Sequence, residues 1–170
     1  AMKQGLKGIN LAGIVSEAAH YSNETLAGWL GLGTENLHSI PTDDSCSMNL
    51  ELLEEKIESL YNQNITIAFV IATFGSTDAF GIDDISSIRR IIDEKSRKYN
   101  KPVPQLHVDA AAGWSLCFLN EYNLEENEFG LSSEVVSVIE RLRKYSMGIK
   151  YADSITLDFH KMGWGHYPSS

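Results

Sequence analysis

Apolar positions along the chain alternate between two periods, and the alternation itself predicts an architecture. In "NLELLEEKIESLYNQ" the residues Leu50, Leu53, Ile57, Leu60 and Tyr61 recur at helical spacing and line one face. "DDISSIRRIIDEKSRKYN" and "SSEVVSVIERLRKYSMG" predict two further helices, the first acidic at its start and basic towards its end, as the helix dipole favours. A shorter helix is predicted over 23–30, capped by Asn23, with Leu26 and Leu30 on its apolar side.

Between these segments lie β-rich runs. "LAGIVS" centres on Ile14 and Val15 and breaks into a turn near Ser16, and a short strand is predicted near Leu37–Ile40. "ITIAFVIAT" is continuously apolar, the pattern of a strand covered on both faces. "PQLHVDAA" predicts a fourth strand, and "ADSITLDFH" a fifth that runs straight into Lys161. Strands alternating with helices predict an α/β fold with a mostly parallel sheet flanked by helices. The acidic stretch "NEYNLEENEFG" (120–130) reads as an exposed, mobile loop.

In such sheets ligands sit beyond the carboxyl ends of the strands. Four of those ends carry polar residues that are out of place in an apolar run: His20, Ser76 with Thr77, Asp109, and His160 with Lys161. A lysine is costly to bury, so one delivered by an interior strand needs a partner or a task. Desolvation makes an amine a nucleophile able to form a Schiff base with an aldehyde. A carboxylate at a strand end calls for a cationic hydrogen-bond partner, and a protonated pyridine nitrogen is one. Lysine on the aldehyde and carboxylate on the ring nitrogen are the two fixed contacts of pyridoxal 5'-phosphate.

Composition narrows the field. The 170 residues carry a formal net charge of -9, which disfavours nucleic acid and anionic membrane surfaces as partners. The apolar run "IAFVIATF" is too short to cross a bilayer, and no signal-peptide pattern opens the chain. Cys46 and Cys117 are isolated, with no zinc-ligand spacing, which points to a reduced, cytoplasmic setting. His107 and Asp109 share a strand face, but two ligands make a poor metal site. "GLGTEN" lacks the third glycine of a dinucleotide fingerprint. His38 and His166 read as surface or loop residues, and Trp29, Trp114 and Trp164 as packing residues.

Four segments, "SEAAHYS" (16–22), "ATFGST" (72–77), "HVDAAAG" (107–113) and "ADSITLDFHKMG" (152–163), together resemble the successive signatures of group II pyridoxal-phosphate-dependent amino-acid decarboxylases. The resemblance spans nearly the whole chain in the family's order. It implies a type I pyridoxal-phosphate-dependent transferase-like large domain, an amino-acid substrate and a homodimer. By the same resemblance Lys161 holds the cofactor aldehyde, Asp109 the ring nitrogen, and His20 stacks on the ring and orients the substrate carboxylate. Ala111 packs on the opposite ring face, Ser76 or Thr77 lies near the cofactor hydroxyl, and His160 touches the phosphate or braces the lysine.

The chain departs from the pattern at several positions. Ala112 stands where relatives often have an aromatic, Phe159 where many have proline, and Asp158 where some have asparagine. The interval from Asp109 to Lys161 is long, implying an insertion around 120–150. The phosphate-cradling segment is expected before residue 1 and a small domain after Ser170, which makes residues 1–170 a central part of the large domain. Amino-acid decarboxylation is the leading expectation. Another type I activity, such as a carbon–carbon lyase or desulfurase, and an inactive structural or dimerisation unit are the alternatives.

Overall fold

In the computed structural model, which describes residues 3–5, 8 and 10–167, five parallel strands form one sheet in the order β2-β1-β3-β4-β5. The strands are β1 (Leu11–Ser16), β2 (Leu37–Ile40), β3 (Thr66–Thr73), β4 (Gln105–Asp109) and β5 (Ser154–Thr156). The α-helices are α1 (Ser22–Trp29), α2 (Leu50–Asn62), α3 (Ile85–Lys98) and α4 (Ser133–Ser146). Short 3-10 turns at Thr34–Asn36, Gly113–Glu121 and Met147–Tyr151 complete the connections. No helix among the described residues is long and apolar enough to cross a membrane.

Helix starts follow from local chemistry. Asn49 Oδ1 accepts the N–H groups of Glu51 and Leu52 at 3.0 and 3.1 Å, and Asp84 Oδ1 accepts that of Ser87 at 3.1 Å. The cap expected at Asn23 is not made: α1 begins at Ser22 after Tyr21, and the Asn23 side chain donates backwards to the His20 carbonyl at 3.0 Å. An amide can turn either way, and here the tight turn after β1 supplies the nearer acceptor.

The core lies on one face of the sheet. Leu53, Ile57 and Leu60 of α2 and Ile85, Ile88 and Ile92 of α3 pack on Ile14, Val70, Leu106 and Val108. The opposite face is less covered than the apolar run of β3 predicts, because Phe69 and Ile71 are only half-buried. A register shift opposite Ala12 and Gly13 inserts Ala68 as an extra residue, so the alternation in β3 slips by one. A Cβ at Gly13 would strike the Phe69 ring, which accounts for glycine at that point.

The fifth strand ends earlier than its pattern predicts. Pairing with β4 stops at Thr156, and Lys161 sits in a turn closed by its own N–H to the Asp158 carbonyl at 3.0 Å. The acidic 120–130 segment is exposed, as expected, but tied down: Tyr122 Oη donates to Asn127 Oδ1 at 2.9 Å, and the Tyr122 and Phe129 rings stack at 5.2 Å. Trp29 and Trp164 are exposed rather than packed; Trp114 does pack, edge-on to Phe159 at 5.1 Å. His38 lies on β2, not in a loop, and burial, aided by the nearby Lys56 charge, lowers its pKa. His166 is exposed, and Cys46 and Cys117 are free thiols.

Candidate active site

The strand order reverses direction between β1 and β3, since the chain first steps outward to β2 and then returns across β1. Such a reversal splays the connecting loops apart and opens a crevice at the carboxyl ends. A cavity of about 300 Å³ lies at this rim. His20 reaches it from the turn after β1, Thr73, Ser76 and Thr77 from the end of β3, Asp109, Ala111 and Ala112 from β4, and Asp158 and Lys161 from the turn after β5. The side chains of α1 that close it are Ser22, Asn23 and Leu26. Lys161 and Asp109, distant in sequence, therefore share one pocket.

Each polar group has a defined setting. Asp109 is half-buried; its Oδ1 accepts the Ala111 N–H at 3.1 Å, and its carbonyl accepts the Phe74 N–H at 2.8 Å. Lys161 Nζ pairs with Asp158 Oδ2 at 2.9 Å. The carboxylate at 158 is thus turned towards the lysine. The Asp158 carbonyl is fixed in turn by Trp114 Nε1–H at 3.1 Å.

Of the two hydroxyls after β3, Ser76 is buried and its oxygen accepts the Gly81 N–H at 2.8 Å, so it closes the 75–81 turn. Thr77 is exposed at the pocket rim. His160 does not line the cavity. Its ring packs edge-on to Tyr167 at 4.4 Å, and Nε2 lies 3.7 Å from Asp158 Oδ2, which brings it to the lysine's partner.

Three contributors were given no role at the pocket by the sequence reading, which weighed His107 only as a metal ligand with Asp109. His107 lines the pocket, on the same face as Asp109, and its Nδ1 and Nε2 contact Ser154 Oγ at 2.8 Å and Thr156 Oγ1 at 3.0 Å. With both nitrogens engaged it is a strap between β4 and β5, and burial lowers its pKa against the opposing pull of Asp109. Its period-two spacing from Asp109 was the available signal. Thr73 lines the pocket, yet its Oγ1 is buried without a partner. Asp83 is fully buried beneath the site, where Oδ2 accepts the Thr73 N–H and Oδ1 the Met48 N–H, both at 2.6 Å. Burial raises its pKa to about 6, although the two backbone donors oppose the rise.

The residue set fits pyridoxal phosphate. A primary amine and a carboxylate open onto one cavity, small Ala111 and Ala112 leave room for a flat ring, and a hydroxyl, Thr73 Oγ1, is left orphaned beside the site. Beside the cavity the ends of β3 and β4 approach closely, since a Cβ at Gly113 would collide with the Phe74 carbonyl.

Comparison with known proteins agrees. The family described as "Pyridoxal-dependent decarboxylase conserved domain" matches residues 4–168. An L-2,4-diaminobutyrate decarboxylase of Acinetobacter baumannii is 32% identical over 152 residues, covering 89% of this chain and 24% of the relative. An L-tyrosine decarboxylase of Enterococcus faecalis is 30% identical over 166 residues, covering 91% and 26%. Among solved structures, mouse CSAD superposes with a TM-score of 0.67 at 26% identity, over 91% of this chain and 27% of that one. The decarboxylase domain of a Vibrio parahaemolyticus diaminobutyrate enzyme gives 0.66 at 25%, over 91% and 28%. The chain thus spans about a quarter of the length of these relatives. Matched over nearly all of its length, it belongs to the pyridoxal-dependent decarboxylase family.

Proposed function

We propose that the protein carrying this chain decarboxylates an amino acid to an amine and carbon dioxide with pyridoxal phosphate as cofactor. The observation that carries the proposal is the convergence of Lys161 and Asp109 on one pocket at the reversal point of the sheet. When bound, the cofactor's protonated pyridine ring serves as an electron sink for a bond broken at the substrate's α-carbon.

The chain's residues divide the remaining work. Lys161 Nζ is the amine for the cofactor aldehyde, and Asp158 orients it. One Asp109 oxygen is anchored by the Ala111 N–H, which sets the carboxylate to hold the proton on the ring nitrogen. His20 and Ala111, which line the cavity, would hold the ring between them, and the exposed hydroxyl of Thr77 would suit the cofactor's own hydroxyl better than that of Ser76, whose oxygen closes a turn. By fixing where the substrate carboxylate sits, His20 would contribute catalysis by positioning.

The protein works as a homodimer in this proposal, supported by the exposed apolar side chains Phe118, Met162 and Trp164 near the site's outer turn. A reduced, cytoplasmic setting fits its two free thiols. The test is product analysis of the full-length protein across diamino, acidic and aromatic amino acids. Release of carbon dioxide with the matching amine supports the proposal; a keto acid or aldehyde as sole product overturns it.

A further inference from the structure

We infer that Ser22 is a positioning residue that locks His20 in its Nε2–H tautomer, so that the imidazole offers the pocket a hydrogen-bond donor and not an acceptor. The inference deepens the decarboxylase reading and rests on His20 lining the site.

Ser22 brings two donors to one nitrogen of His20. The Ser22 backbone N–H approaches His20 Nδ1 at 3.3 Å, and a backbone N–H can only donate. Nδ1 must therefore carry a lone pair. Ser22 Oγ lies 2.8 Å from the same nitrogen, so the hydroxyl is obliged to donate as well. A neutral imidazole holds one hydrogen, and with Nδ1 accepting twice that hydrogen resides on Nε2. No residue among those described takes up Nε2.

The rest of the turn holds this geometry. Asn23 Nδ2–H donates to the His20 carbonyl at 3.0 Å, fixing the backbone, and the Tyr21 ring lies against the imidazole at 4.2 Å. The ring has few ways to flip, because flipping would set a carbon against the Ser22 hydroxyl. An N–H on a ring that lines a cavity for amino acids is complementary to a carboxylate, an acceptor-only group. The opposite tautomer would present a lone pair to that carboxylate and repel it. Ser22 acts on the substrate only through His20.

The test is nitrogen NMR of 15N-histidine-labelled protein in mildly alkaline buffer, with His20 assigned by a His20→Gln variant. In the wild type, His20 gives the Nε2–H pattern. Ser22→Ala removes the shorter bond and keeps only the longer one from the backbone N–H, so the His20 signals shift part of the way towards the Nδ1–H pattern; Ser22→Thr keeps a hydroxyl and restores the wild-type pattern. In turnover, Ser22→Ala raises KM for the amino acid several-fold with a smaller change in kcat, and Ser22→Thr reverses it. A wild-type Nδ1–H pattern, or an unchanged Nε2–H pattern in Ser22→Ala, overturns the inference. Failure of the decarboxylase reading shows separately, in the products formed.

Discussion

Lys161 Nζ and Asp158 Oδ2 lie 2.9 Å apart within one turn, and both side chains face the pocket that Asp109 also lines. The lysine is 40% exposed and the aspartate 16%, so the pair is partly solvated and contributes little to folding. Its effect is on the position of the amine. Asp158→Asn keeps the shape and removes the charge. It should change unfolding free energy by less than about 1 kcal/mol in urea titrations. It should also speed covalent capture of Lys161 by pyridoxal phosphate, because the carboxylate no longer competes for the amine. Borohydride reduction at timed intervals measures that rate.

Asp109→Asn tests the other wall of the pocket. Asparagine keeps an oxygen for the Ala111 N–H but cannot hold a proton on the ring nitrogen. Turnover of the full-length protein should fall about 100- to 1000-fold, the scale of losing one preorganised electrostatic contact. The circular dichroism spectrum should stay as in the wild type.

Asp83 links pH to stability. Its folded pKa of about 6 lies above the ordinary aspartate value of 3.8, so between those limits the folded state binds a proton that the unfolded chain does not. The group's contribution is therefore fully favourable below the unfolded pKa and is lost as pH rises through about 6. The change across that window is on the order of 3 kcal/mol. Asp83→Asn should abolish that part of the pH dependence. It should also cost about 1–3 kcal/mol at neutral pH, because an amide offers one acceptor for the two N–H groups of Thr73 and Met48. Urea unfolding from about pH 4 to 7 of both proteins reads the two effects.

Gly113→Ala probes how tightly the ends of β3 and β4 approach. The added Cβ meets the Phe74 carbonyl, which belongs to the backbone and has little room to move. Destabilisation of about 1–3 kcal/mol is expected, measured as a fall in the urea midpoint with an unchanged slope.

Much of this architecture was legible in the chain. The helical stripe from Leu50 to Tyr61 and the β-rich runs mark elements whose order alone dictates a parallel sheet. The polar residues at the strand ends mark the rim of the pocket. What escaped depends on tertiary geometry that no local pattern encodes. The Ala68 bulge is a register event between two strands, so the apolar run of β3 looked uniformly buried. The ring of His107 is claimed by Ser154 and Thr156 across a strand pair far apart in sequence. "ADSITLDFH" has the composition of a long strand, yet β4 supplies partners only as far as Thr156. Tyr122 and Asn127 rivet a loop whose acidic composition reads as mobile.

The most direct test is to incubate the full-length protein with pyridoxal phosphate, reduce it with borohydride and map the modified peptide by mass spectrometry, alongside Asp109→Asn and Lys161→Ala. The account predicts a single cofactor adduct on Lys161, absent from Lys161→Ala and still formed in Asp109→Asn with an altered absorbance spectrum. An adduct on another lysine, or a cofactor spectrum indifferent to Asp109, would contradict it.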